Sequence, residues 1–454
     1  MSFAAPALLA GAGYSQQILA ARVSAILLIG VPFILLVYAS LLHACGRAGA
    51  SMGTSFLALS PNLIAHAGLA TTDMCFVAAA LAALLALTRF VEQRTPRRLL
   101  WLGAAWSAAL AAKYSAIALF PAALIVLTLT DRAQPAGAKS AIRAAALVAS
   151  LFAIALVATW TLHGFAWAPT KLSALGTRHV PAAVAGIISQ ALHQRGGHPA
   201  FMLGRTSAVG WWYYMPVALA LKSTPAELIA FGIASVAAFR RRSTSASALT
   251  WRVTLVSFTA LALVNRLDLG IRYVLIVIPL LIFVAVDGRP RASRPVVAVF
   301  CGLLLAQFAS ASAIAPHYLS YFNRIAGGPE TGYRLLADSN IDWGQDLPSL
   351  RVALARHGAR APLLSYFGNA PFDAYGVVAD VWDGDVQRDF TRWDWVAISA
   401  THLDGLFVPS DVFQPFREVP PSDRAGYSIL MYSTDRPDVR AAMEATARRW
   451  REIR

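Results

Sequence analysis

A small set of polar side chains sits in or beside long apolar stretches. Asp73 is the first carboxylate of the chain and closes the run Ser60-Pro-Asn-Leu-Ile-Ala-His-Ala-Gly-Leu-Ala-Thr-Thr-Asp73, which also holds His66. Lys113-Tyr114-Ser115 interrupts the apolar run Leu99–Thr130 at its middle. Arg205, Trp212, Tyr213 and Lys222 follow in a mixed stretch, then Asp268, Arg272 and Tyr273. Last comes Asp338-Ser-Asn340-Ile-Asp342-Trp-Gly-Gln-Asp346. An Asp at the centre of a bilayer costs about 3 kcal/mol, so such groups belong at edges, cavities or working sites. Arginine and lysine suit a substrate phosphate, the first as a bidentate fork and the second as a point charge. A carboxylate suits a base that takes a proton from an acceptor hydroxyl or amine. Together they describe group transfer from a lipid-linked phosphate.

Each residue also has a plainer use. Asp73 fits the cap of the helix that follows it. Lys113 fits a snorkelling lysine, and Arg272 a partner for Asp268 one turn away. Asp338, Asp342 and Asp346 fit one helix face or a loop end. Trp211-Trp212-Tyr213-Tyr214 reads equally as an interfacial aromatic belt and as a surface for sugars or lipid headgroups. The histidines form no metal-ligand spacing, and the acidic stretch 380–389 does not have the spacing of a calcium loop.

The elements that must position these groups are membrane helices. The chain of 454 residues is 57% hydrophobic and 14% charged, where a soluble domain carries about a quarter charged residues. Apolar runs near membrane length recur up to about residue 314. Residues 1–315 therefore read as a polytopic transmembrane bundle. Residues 316–454, with ordinary charge and strand-like runs at 363–367, 395–399 and 427–432, read as a small α/β domain outside the bilayer with a partly parallel sheet. Helical patterns cover 344–357 and 437–453. The net charge of +15 follows from basic loops and gives no reason to expect nucleic acid. The three cysteines are scattered and frame neither disulfides nor a metal.

Spans are expected at about 23–45, 51–70, 73–90, 143–164, 224–239, 249–265, 272–287 and 295–314. Leu99–Thr130 is too long for one upright span and basic at both ends, so it reads as a hairpin with Lys113 at its tip. Arg47, the cluster Arg94, Arg97 and Arg98, the cluster Arg132, Lys139 and Arg143, the cluster Arg240–Arg242, and the cluster Arg289, Arg291 and Arg294 then share one side, expected to be cytoplasmic. Asp73, Lys113, residues 165–223, Arg272 and the C-terminal domain share the other. About ten crossings with both ends outside result, and the expectation is that a first span and its outer loop are missing.

These motifs, with Trp212-Tyr-Tyr-Met-Pro216 and Gly270-Ile-Arg-Tyr273, resemble those of bacterial GT-C glycosyltransferases. The likeness is to the protein O-mannosyltransferase and aminoarabinose-transferase-like group. The resemblance implies a mainly α, GT-C-like membrane bundle carrying an extracytoplasmic α/β domain in a bacterial inner membrane. It implies inverting transfer of a sugar from a polyprenyl-phosphate donor to an outer-face acceptor, whether protein, lipid A, lipopolysaccharide or another glycan. The family's principal carboxylate stands in a first outer loop that this sequence does not show, which leaves Asp73 a supporting catalytic role. The expected substrate contacts are His66, Lys113, Tyr114, Arg205, Trp212, Tyr213, Lys222, Arg272, Tyr273, Asp338, Asn340 and Asp342, with Lys113 and Arg272 on the donor phosphate. No cofactor is implied for certain, and a divalent metal stays open. Expected partners are the lipid-linked sugar, membrane lipids and the acceptor. A transporter or flippase, and a catalytically silent scaffold, are the alternative functions.

Overall fold

The structure is a computed structural model that describes residues 13–131, 137–172, 176–240, 245–286, 294–360, 362–383 and 390–453. Arg132, Arg241, Arg242, Arg289 and Arg291 of the basic clusters lie outside the described residues, as does 384–389 of the acidic stretch.

Helix α1 (Tyr14–Ala25), a π turn (Ile26–Gly30) and α2 (Val31–Ala58) run on from one another. The chain nevertheless reverses at Gly46, where φ is 72° and ψ −179°, a region open essentially to glycine alone. A Cβ at Gly53 would lie 2.8 Å from Leu41 Cδ1, and one at Gly30 3.5 Å from Ala67 Cβ. Twelve residues along a straight helix would separate by about 18 Å, so the two legs are antiparallel. The first leg covers the expected span at 23–45, and the second, with α3, covers the stretch 51–70. The second leg breaks before α3 (Pro61–Gly68), where Ser60 caps the new helix by accepting the Leu63 N–H and Pro61 occupies the first turn.

α4 (Thr72–Glu92) leads to α5 (Pro96–Ala112), a 3-10 turn (Tyr114–Ala118) and α6 (Leu119–Leu129). This is the expected hairpin. Trp106 meets Phe120 edge-on at 4.4 Å, and Arg94 closes the open end by donating to the Thr130 carbonyl at 3.4 Å. Lys113 occupies the tip in extended backbone. α7 (Ala138–Leu162) follows. Residues 165–223 then fold as a hairpin of β1 (Trp167–Leu172) and β2 (Gly176–Pro181), helix α8 (Ala182–Gly196), a short hairpin of β3 (Ala200–Met202) and β4 (Arg205–Ser207), and helix α9 (Tyr214–Lys222).

α10 (Pro225–Arg240), α11 (Ala246–Val264), α12 (Val277–Val286) and α13 (Arg294–Ile314) complete the bundle. α10 opens on a capping box. Glu227 accepts the Thr224 N–H at 2.9 Å, and Thr224 Oγ1 accepts the Glu227 N–H at 3.0 Å. Among the described residues, five helical stretches are long and apolar enough to cross a membrane: Tyr14–Ala58, Thr72–Glu92, Ala138–Leu162, Ala246–Val264 and Val296–Ile314. Leu28, Leu35, Ile154, Val157, Val256 and Leu305 point outward from them, each more than half exposed. Such a belt would aggregate in water and is at home against lipid.

The C-terminal region contains α14 (Leu347–Arg356), β5 (Pro362–Ser365), β6 (Asp380–Val381), β7 (Trp395–Ser399), α15 (Ala400–Leu403), β8 (Asp423–Ala425), β9 (Ile429–Ser433) and α16 (Pro437–Ile453). The strands form one mixed sheet in the order β6-β5-β7-β9-β8, parallel at β6-β5-β7 and antiparallel beyond. Alternate residues serve opposite faces. Leu364, Ala397 and Met431 pack on Leu347, Leu350 and Leu354 of α14, while Leu363, Val396, Leu430 and Tyr432 join Val439 and Met443 of α16 in the other layer. The three expected strands are present. β6 and β8, at two and three residues, were too short to register as patterns.

Gly46→Ala should destabilise the protein by about 1–3 kcal/mol, the cost of a side chain in that backbone region. Thermal unfolding in detergent checks this, and an unchanged midpoint would mean that the reversal carries no strain.

Candidate functional site

Three elements distant in sequence meet at one carboxylate. Asp73 lies in the first turn of α4, whose N-cap is Thr71. Thr71 Oγ1 donates to Asp73 Oδ2 at 3.2 Å. Lys113, from the hairpin tip, places Nζ 2.6 Å from Oδ1. Arg272, from the 3-10 turn Ile271–Tyr273 between α11 and α12, places Nε 3.3 Å from Oδ2. The Asp73 side chain is 0% exposed, against 15% for Lys113 and 19% for Arg272. The carboxylate is therefore sealed by its partners, while both cations keep an open flank. Two cations against one carboxylate leave one positive charge in excess. Aromatic faces back them: Lys113 Nζ sits 4.4 Å from the Tyr273 ring centroid and Arg272 Cζ 4.7 Å from that of Trp343.

The plainer uses are not what the structure shows. Asp73 makes no cap hydrogen bond, because residue 71 holds that position. Lys113 turns to a carboxylate. Asp268 accepts the Trp211 N–H at 2.6 Å, and burial pushes its carboxyl up to about 6. Arg272 pairs with Asp73 instead.

A second turn, Asp338–Asn340, covers this centre from the C-terminal region. Arg272 Nη1 donates to Ser339 Oγ at 3.4 Å, and Ser339 Oγ donates to Asp338 Oδ1 at 3.1 Å. Trp343 Nε1 donates to the same hydroxyl oxygen at 2.7 Å. Asn340 is a bracket. Its amide donates to Tyr214 OH at 2.8 Å, and its carbonyl oxygen accepts the Ile271 N–H at 3.2 Å. A Cβ at Gly270, where φ is 103°, would fall 2.9 Å from that oxygen, so glycine is required there.

The expected contacts thus separate into groups. Asp73, Lys113, Arg272, Tyr273 and Asp338 come together. Tyr114 packs against α8, where a Cβ at Gly186 would meet its ring. His66 is buried on α3, and neither ring nitrogen has a hydrogen-bond partner. Arg205 is exposed on β4, and Trp212, 68% exposed, pairs edge-on with Tyr213. Lys222 is wholly buried, with Nζ donating to the carbonyls of Leu319, at 2.6 Å, and Asn340, beneath the Phe322 ring. Its place is structural, tying the covering turn to the bundle. Asp342 is also buried. Its Oδ1 accepts the Gly344 N–H at 3.0 Å, and burial pushes its carboxyl up to about 8. Asp346 is taken by the Ser428 and Tyr427 N–H groups and the Ser428 hydroxyl. The three carboxylates do not share a helix face. Among the described residues no three His, Cys, Asp or Glu side chains gather as a metal site. Ser339 and Trp343, inside the Asp338–Asp346 motif, and Tyr214, inside the Trp211–Tyr214 aromatic run, are not among the expected substrate contacts.

Fold and centre together define a multi-pass membrane protein in which a carboxylate-held lysine and arginine meet the turn Asp338–Asn340 of the C-terminal region. Residues 13–163 match the family model described as dolichyl-phosphate-mannose-protein mannosyltransferase. That segment, a third of the chain, is similar to this family of lipid-phosphate-mannose-dependent protein mannosyltransferases. No match was found among curated proteins.

Asp73→Asn leaves two clustered cations without their counter-charge and should destabilise the fold by about 3 kcal/mol, read as a lower thermal midpoint; no change would mean the pair is not load-sharing. Asp342 gives a second test. Its folded value lies above the unfolded one, so the folded state keeps a proton that the unfolded chain releases. Its contribution to stability is therefore full below about pH 4 and is lost as pH rises towards about 8. Asp342→Asn should flatten that slope in thermal melts, and an identical slope would contradict the assignment.

Proposed function

We propose that the protein transfers a sugar, with inversion, from a polyprenyl-phosphate donor to an acceptor on the side of the membrane where the C-terminal region stands. The reading includes ten crossings over residues 1–315, a bacterial inner membrane, and residues 316–454 on the outer face. One observation carries it: a fully covered carboxylate holds a lysine and an arginine that each keep part of their side chain exposed.

The chemistry follows from charge. A polyprenyl-phosphate sugar is a phosphodiester with one negative charge. When the acceptor oxygen bonds to the anomeric carbon, the bond to the phosphate oxygen breaks and the departing phosphate gains a second charge. Cations already in place stabilise that gain without reorganising. Asp73 supplies the placement. It holds Lys113 and Arg272 a fixed distance apart despite their repulsion, and its coverage denies it contact with the acceptor. Tyr273 and Trp343 restrict the cations further and form walls suited to a sugar ring.

Lys113→Ala and Arg272→Ala should each lower kcat/KM for the lipid-linked donor about 100-fold. Arg272→Lys should recover only part, because a point charge cannot reproduce the fork. Transfer of radiolabelled sugar in proteoliposomes measures this. Variants as active as the wild type would overturn the assignment of the phosphate site.

A further inference from the structure

The C-terminal region holds a cavity of about 330 Å³, lined by Leu364, Tyr366, Asn369, Ala370, Phe372 and Val381 among others. It follows the carboxyl end of β5, the end at which open sheets with parallel strands hold ligands. Gly368 on its wall has φ 154°, and a Cβ there or at Gly344 would strike the Tyr366 hydroxyl. That hydroxyl donates to the Gly344 carbonyl at 2.8 Å. Gly344 follows Trp343, whose ring backs Arg272. The cavity is thus tied through Tyr366 to the motif that covers the cation pair.

Its lining and its neighbour decide what it takes. None of the lining residues is charged. Arg22 of α1 is near enough to act on the Tyr366 hydroxyl but lines none of the cavity. An anionic headgroup would lose water there without gaining a counter-charge. A sugar would bring a hydroxyl on nearly every ring carbon to the Asn369 amide and a tyrosine hydroxyl already bonded, and each hydroxyl left unpaired costs about 1–3 kcal/mol. An apolar group meets neither penalty. Beside the cavity runs β6, an end strand of the sheet, and among the described residues no strand pairs with its outer side. The Trp382 N–H donates inward to the Leu364 carbonyl at 2.8 Å, so the backbone N–H and C=O of Val381, one residue earlier, point outward. Such an edge is a template for another backbone. A prenyl tail would fill the cavity and leave that edge unpaired. A peptide residue paired beside Val381 would place its side chain on the same face of the sheet as Val381, which lines the cavity. We infer that β6 and this cavity form a docking site for an extended polypeptide, added as a further strand with one apolar side chain in the cavity. The inference goes beyond the transferase reading and does not depend on it.

The probe is a capped, fluorescein-labelled hexapeptide alternating valine and threonine, titrated against the full chain in detergent and read by fluorescence anisotropy. The wild type should bind it saturably. Ala370→Trp, which fills the cavity, and Val381→Lys, which charges its rim at a residue 52% exposed, should each weaken binding about 10-fold. The same peptide N-methylated at every residue keeps its side chains but loses its donors, and it should bind about 10-fold more weakly than the parent. Both variants should still give the wild-type phosphorus shift with a short-chain prenyl phosphate, which shows that they fold. No saturable binding to the wild type would overturn the inference, as would equal binding by both variants or by the N-methylated peptide. Displacement of the labelled peptide by a short-chain prenol or by methyl mannoside, at concentrations where unlabelled peptide does not displace it, would give the cavity to a lipid or a sugar and overturn it as well. Each of these results leaves the transferase reading standing, since none of them measures transfer.

Discussion

The structure turns on the attraction between Asp73 and the two cations that cover it. Lys113 and Arg272 would repel one another in a setting shielded from water, and neither would have reason to face the other. A carboxylate between them converts that repulsion into a fixed spacing. The start of α4, the tip of the α5–α6 hairpin and the turn before α12 are thereby drawn to one point. Buried ion pairs contribute little net stability against an apolar alternative, so the arrangement is better understood as positioning two charges than as holding the bundle together.

The C-terminal region is attached to the same point. Asn340 ties its covering turn to Tyr214 and to the Ile271 N–H, one residue from Arg272. Lys222 ties the turn's backbone to the bundle from behind. Asn323 adds bonds to the carbonyls of Ala220 and Ser223 at 2.6 and 2.9 Å. Three buried polar side chains thus hold the roof where its hydroxyl and carboxylate meet the cationic centre. Each is hydrogen-bonded to backbone or side-chain partners, as burial demands.

Much of this was legible in the chain, and for physical reasons. Charges within apolar sequence are expensive, so Asp73, Lys113 and Arg272 stood out before any geometry was known. The hairpin at Lys113 followed from a run too long for one span and basic at both ends. The partners were not legible, because Asp73 and Lys113 are 40 residues apart and nothing in their spacing says that they touch. Sequence also cannot tell a lysine that faces a ligand from one that feeds two carbonyls, which is why Lys222 looked like a substrate contact. Asp338, Asp342 and Asp346 shared a helical spacing, yet the 3-10 turn at Asp338–Asn340 sends them to three different surroundings. The sheet's central strands announced themselves by alternation, whereas β6 and β8 are too short to carry any.

The central claim is that a carboxylate-held cation pair receives the donor phosphate. Phosphorus NMR with a short-chain prenyl phosphate, added to the full chain in detergent, tests it without depending on sugar or acceptor. The wild type should show a saturable phosphorus shift that weakens with salt and is lost when Lys113 and Arg272 are both replaced by Ala. An equal, saturable shift in that double variant would contradict the account.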